Sequence, residues 1–343
     1  MKRLISIFAL FAAIVATSCT HKELCYTHSE HAHRFHIRVI ADYRLDWEEL
    51  GYRDWSVLWP DNYIPYDNLR PYRPNGLRVV NYNPEGQYNI HNFTNSTGGV
   101  VTLYEGENDL LFYNNDTEYI VFSRYDSGVS TRAYTRASTR TVTRATYTPN
   151  LEFTDAGERT VNAPDMLFAN YRNGYISTKT LGPVDFPVEL QPLVFTYKIR
   201  YEFSEGLEYV AMARGALSGM AESVLMDTGE TSEQGATIVY DCDLTDFGAR
   251  ALVKSFGIPG FPNPNYPMTR VVKHGLNLEV MLRNGKLMTF DFDVTDQVNA
   301  QPHGGVIVVS GIVVKKEDGV QGSGSFDVEV DDWGEYEDII LPL

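Results

Sequence analysis

The chain has 343 residues, a formal net charge of −16, and is 43% hydrophobic and 13% aromatic. So acidic a molecule repels phosphate backbones, which removes nucleic acid from the candidate partners. Its apolar content suffices for sizeable cores, and its length suits two domains better than one.

Residues 1–18 read as a lipoprotein signal peptide. "MKRLISIFALFAAIVATSC" places Lys2 and Arg3 before an apolar run from Leu4 to Val15, then small residues ahead of Cys19. Cleavage there frees Cys19 for acylation and makes a lipid bilayer the first partner. Loss of Lys2 and Arg3 takes the net charge to −18. No later stretch is apolar for long enough to span a membrane.

Residues 19–36 form a polar, His-rich tether with His28, His31, His33 and His36 close together. Imidazole suits zinc and copper, but the spacing matches no built site, so no metal is assigned. With Cys19 acylated, Cys25 and Cys242 remain, either bonded to each other or free. The flanking Asp241 and Asp243 oppose a reactive thiolate at Cys242.

An N-terminal β-sandwich is expected over 37–184. "FHIRVIADYRL", "GLRVVNYN", "YNIHNF", "GGVVTLY" and "DLLFYNNDTEYIVFS" are rich in Val, Ile, Tyr and Phe and are punctuated by Gly, Asn and Pro. Between the first two, "DWEELGYRDWSVLWPDNYIPYDNLRPY" gathers Trp47, Trp55 and Trp59 with several tyrosines. Aromatic faces beside carboxylates are contacts for a sugar ring or a partner, and they equally cap the end of a sandwich. At 129–150 the tract "STRAYTRASTRTVTRATYTP" repeats Thr-Arg, placing Arg132, Arg136, Arg140 and Arg144 at a spacing of four. It reads as an inserted, protease-sensitive surface loop; in an extended chain the four arginines share one face.

A second β-sandwich is expected over 185–315, the series starting near Val184 with "VELQPLVFTYKIRYEF", "ATIVYDCDL", "LNLEVMLRNGKLMTFDFDV" and "GGVIVVSGIVV". In the third segment, a two-residue turn at Asn284-Gly285 sets Val280 opposite Thr289, putting polar groups on the core face. One extra residue sets it opposite Phe290, which predicts a three-residue loop or a bulge. "RGALSGMAESVL" is the one helix candidate, with Leu217, Met220, Ala221 and Val224 on one face. Residues 316–343 form an acidic tail in which "FDVEVDDW" (Phe326 to Trp333) alternates like a last strand.

No Gly-x-Ser-x-Gly elbow or phosphate loop occurs, and His274 and His303 have no nucleophile in pattern with them. The residues present no enzyme and call for no cofactor.

"SCTHKELCYTHSEHAH", "DWEELGYRDWSVLWP", "LLFYNNDTEYIVF", "ARGALSGMAESVL" and "TFDFDVTDQVNAQPHGGVIVV" together resemble an uncharacterised family of Bacteroidetes lipoproteins, itself similar to fimbrillin-like and minor-fimbria anchor proteins. The resemblance implies an all-β chain of two tandem transthyretin-like β-sandwich domains with little helix, lipid-anchored to the outer membrane at the cell surface or, alternatively, on its periplasmic face. It implies a part of, or accessory to, a fimbria-like assembly, with fimbrial subunits as partners and β-strand addition as the mode of association. The alternative is an adhesive, surface glycan-binding lipoprotein using Trp47, Trp55 and Trp59.

Overall fold

The computed structural model describes residues 35–45, 70–82, 89–123, 130–138, 158–262 and 273–320. Cys19, Cys25, the three tryptophans, Arg140, Arg144 and the Phe326–Trp333 segment lie outside them.

The described chain is all-β. One sheet closes on itself as a barrel in the order β1 (His36–Tyr43), β10 (Val184–Pro192), β9 (Phe168–Ser177), β5 (Gly106–Asn114), β2 (Gly76–Tyr82), β3 (Ile90–Asn95), β4 (Gly98–Thr102). Strand alternation builds its interior. In β1, Ile37, Val39, Ala41 and Tyr43 point inward while Arg38, Ile40 and Asp42 face water. They meet Leu77, Val79, Val101, Leu110, Phe112, Phe168, Val188 and Leu190 in one core.

β10 pairs in parallel with β1 from Ile37↔Val184 to Tyr43↔Leu190. The strand expected to open the second series is therefore the last strand of the first sheet, and after it the strands of the second sheet run on from Phe195. A parallel partner so distant in sequence leaves no local signal.

The second sheet runs β17 (Leu287–Asp293), β16 (Gly275–Leu282), β12 (Val210–Ala221), β14 (Gly235–Thr245), β15 (Gly248–Ser255), β11 (Phe195–Glu205), β18 (Gly305–Val313). One flank of β14 pairs with β8 (Arg159–Asn162) through Ala236–Val239 and with β15 through Asp243–Thr245. The sheet folds over at β14, so Tyr197, Ile199 and Ile307 pack against Leu217, Ile238, Leu278 and Val280 in a single core. The Tyr201 hydroxyl spans it, 2.8 Å from the Tyr240 hydroxyl and donating to the Asn277 carbonyl at 3.0 Å.

A small sheet, β13 (Ser223–Leu225), β7 (Arg132–Thr135), β6 (Ile120–Ser123), lies between the two. Val80, Tyr82, Leu111 and Tyr113 from the barrel share a core with Ala133, Val224 and Phe256.

Three local expectations meet their test here. "RGALSGMAESVL" is not a helix: it makes up most of β12 and β13, and β12 is paired on both flanks, by β14 and β16. A central strand buried on both faces loses the two-residue alternation. A bulge then copies helical spacing: Leu217 faces Ile238 and Met220 faces Ala236, three residues against two. Gly219 sits there at φ 77, where a Cβ would lie 2.3 Å from the Lys273 carbonyl oxygen.

The first half of the Thr-Arg tract is not a loop. Arg132 opens β7, the middle strand of its sheet, and Arg136 follows it. A spacing of four is even, so Thr131, Ala133 and Thr135 turn into the protein while Arg132, Tyr134 and Arg136 share the other face. Ser138 N–H donates to the Thr160 carbonyl at 2.9 Å, so the chain leaves the described residues at 138 and re-enters beside that point.

The β16–β17 hairpin has the expected three-residue loop, Arg283–Gly285, with Leu282 N–H donating to the Lys286 carbonyl at 2.8 Å and Gly285 at φ 81. The loop centres on Asn284, so Val280 faces Met288 and Leu278 faces Phe290, one partner earlier on the same face.

Candidate interaction site at the sheet edges

The second sheet ends in β17 on one side and β18 on the other. A terminal strand presents unpaired N–H and C=O groups, which a folded protein covers or leaves to a partner. The two ends of this sheet differ.

β18 is covered by a single turn of helix. Asp293 accepts a hydrogen bond from the Thr295 N–H at 2.9 Å in the turn that leads into α1 (Thr295–Asn299), whose Val298 is buried in the core. One turn apart, Gln297 and Gln301 then point at the strand. Val308 N–H donates to Gln297 Oε1 at 2.9 Å and Gln297 Nε2 donates to the Val308 carbonyl at 3.0 Å. Gln301 bonds Val306 in the same reciprocal way, at 2.8 Å both ways. Each side-chain amide carries the donor and acceptor of a peptide group, so the pair substitutes for a neighbouring strand.

β17 has no such cover. The bonds Leu282 N–H to Lys286 carbonyl and Val294 N–H to His274 carbonyl (3.0 Å) direct the even-numbered residues toward β16. Leu287, Thr289, Asp291 and Asp293 thus turn their backbone outward, where it meets no backbone partner among the described residues. Their side chains are exposed, whereas Met288, Phe290 and Phe292 are half-buried against the core. Asp291 accepts from Asn277 Nδ2 at 2.7 Å.

Among the histidines and the cysteine of the second sheet, His274 is built in, Cys242 is half-buried and His303 reaches the surface. His274 is fully buried, and burial pushes it down to about 4 against smaller opposing effects of Ser218, Asn299 and Asp293. His303 lies between the Phe195 and Phe261 rings, with centroids 4.7 and 4.5 Å away, and burial lowers it too. The Cys242 thiol is free and is pushed up by burial, then by Asp241 and Asp243. No cluster of three His, Cys, Asp or Glu residues able to hold a metal occurs among the described residues, and no helix there is long and apolar enough to cross a membrane. Of the candidate contact and cleavage residues, the structure describes Arg132, on β7, and Arg136, just after it, both remote in pairing from β17. Sequence reasoning missed Gln297 and Gln301; the signal available was their spacing of four just after Asp293 and Thr295.

The fold defines a class: an all-β protein of one closed sheet and one sheet that ends, among the described residues, in the unpaired flank of β17. Residues 65–241 match the family described as Domain of unknown function (DUF5119), and the chain belongs to it. A candidate fimbrium anchoring subunit, Fim4B of Bacteroides ovatus, is 22% identical over 204 residues, 59% of this chain and 58% of the relative. The match thus spans under two thirds of that relative's length. The crystal structure of a candidate adhesin from Bacteroides ovatus aligns with a TM-score of 0.57 at 18% identity, over 87% of this chain and 97% of that one; this likeness shows the fold. The fimbrial anchor protein Mfa2 from Porphyromonas gingivalis aligns over 80% of this chain and 90% of its own at a TM-score of 0.42 and 11% identity. The resemblance to fimbrial anchor proteins expected from the sequence is met.

Proposed function

We propose that this chain is a non-enzymatic outer-membrane lipoprotein, part of or accessory to a fimbria-like surface assembly. Cys19 carries the acyl anchor, and the body associates with fimbrial subunits by β-strand addition. The two large sheets are the cores of tandem transthyretin-like units, with β8 reaching from the first half of the chain into the second sheet, and the acidic Phe326–Trp333 segment is a strand to be donated. The observation that carries this reading is the open backbone of β17 at the end of an otherwise closed sheet. The relative described as a fimbrium anchoring subunit supports it.

The test is crosslinking and recovery of the tagged protein from intact cells, with brief external trypsin treatment in parallel. Pilin-like chains in the crosslinked material, with cutting at Arg140 and Arg144, support surface assembly. Recovery of the protein alone and uncut refutes it.

A further inference from the structure

The open edge also specifies what fits it. We propose that β17 is the strand-accepting edge and that its partner is an extended segment of a different chain, with apolar residues alternating with Lys or Arg. This rests on the reading of the protein as a strand-adding subunit and names the partner of that site.

The first argument is exclusion. Val306 and Val308 use their outward N–H and C=O groups on Gln301 and Gln297. A strand arriving at β18 has to displace both amides and the buried Val298 beneath them, giving up four hydrogen bonds before forming any. The third exposed strand, β8, meets Ala137 through Val161 on the flank away from β14. Among the described residues, β17 offers the uninterrupted run: outward backbone at Leu287, Thr289, Asp291 and Asp293 with no described group to displace.

The second argument is pattern. An added strand continues the pleat of its neighbour, so its side chains alternate between the same two faces. On the inner face it lies beside Met288, Phe290 and Phe292, which are half-buried and past which no further described strand pairs. Alternate residues of the incoming strand are therefore apolar. On the outer face it lies beside Leu287, Thr289, Asp291 and Asp293, whose only charges are the two acids. Opposite charges across a strand pair stabilise it and like charges destabilise it, so the other residues are Lys or Arg.

The third argument concerns a second copy of this chain. Its own alternating segment, Phe326 to Trp333, carries Asp327, Glu329, Asp331 and Asp332 and no basic residue. Set against β17, it places acid beside Asp291 and Asp293. Like charges so placed oppose self-polymerisation and favour an unlike partner.

Two synthetic peptides matched in length to β17 serve as probes, one alternating Lys with Val and the other Glu with Val. Each is added to the full chain in detergent, and backbone hydrogen exchange is followed at Thr289, Asp291, Val306 and Val308. With the Lys peptide at about ten times its dissociation constant, exchange at Thr289 and Asp291 slows about tenfold, while the Glu peptide leaves it unchanged. In Asp291→Lys the preference between the two peptides reverses, and Thr289→Lys weakens the Lys peptide while leaving the core untouched. Equal protection by both peptides, protection at Val306 and Val308 instead, or none at all overturns the proposal. If fimbrial subunits are still recovered from cells after such a result, the edge assignment has failed and the function stands; if none are, the function has failed as well.

Discussion

Arg214 on β12 and Glu279 on β16 stand directly opposite each other, with Nη2 2.8 Å from Oε1, on the face turned away from the hydrophobic core. Both are nevertheless buried, at 8% and 2% exposure. Burial pushes the Glu279 carboxyl up, and the Arg214 guanidinium pulls it back toward ionisation. Removing one charge strands the other in a dry site, so Glu279→Ala is expected to cost about 3–5 kcal/mol. The double variant Arg214→Met/Glu279→Leu should cost far less than the single one. Urea unfolding of the four proteins of this cycle provides the check.

His274 gives a pH dependence of definite sign. Its pKa falls from 6.5 to about 4 on folding, so between those values the unfolded chain binds the extra proton. Stability from this group is then full above pH 6.5 and is lost as pH drops toward 4, by about 3 kcal/mol in total. Thermal unfolding of the protein and of His274→Gln from pH 7.5 to 4 should show the slope in the first and a shallower one in the second.

Gly219 separates strand from helix by sign. In a helix interior, Gly→Ala would gain about 1 kcal/mol. At φ 77, with the Lys273 carbonyl in the way, Gly219→Ala should instead lose about 1–3 kcal/mol. A denaturation midpoint that rises would contradict the bulge.

Gln297 and Gln301 are expected to act as edge cover. Gln297→Met/Gln301→Met keeps their bulk and removes the amides, which should cost about 1–3 kcal/mol. It should speed exchange at Val306 and Val308 while leaving the remainder of β11–β18 protected. Unchanged exchange at those two amides would deny the glutamines that role.

Local pattern made much of the fold legible. Alternation in Ile37, Val39 and Ala41, or in Leu276, Leu278 and Val280, reports which face meets the core, and the facing arms of β16 and β17 demanded an odd loop. Where local pattern is silent, the sequence misled. Two-sided burial and a bulge disguised β12 as a helix, and the parallel pairing of β10 with β1 depends on contacts far apart in the chain. An even Thr-Arg spacing, equally at home in a loop, turned out to serve a central strand. The candidate site was least legible of all, because being the last strand of a sheet is a property of the whole topology. Nothing within "LMTFDFD" states where in the sheet it sits, and only the folded chain brings Gln297 and Gln301 onto β18 and leaves β17 without a described partner on its outer flank.

The most direct test is a photo-crosslinking residue placed at Thr289, and in a parallel strain at Val308, of the full-length protein in its own cells. The account predicts covalent adducts with fimbrial subunits from position 289 and none from 308. Adducts from 308 alone, or from neither position in cells that display the assembly, would contradict it.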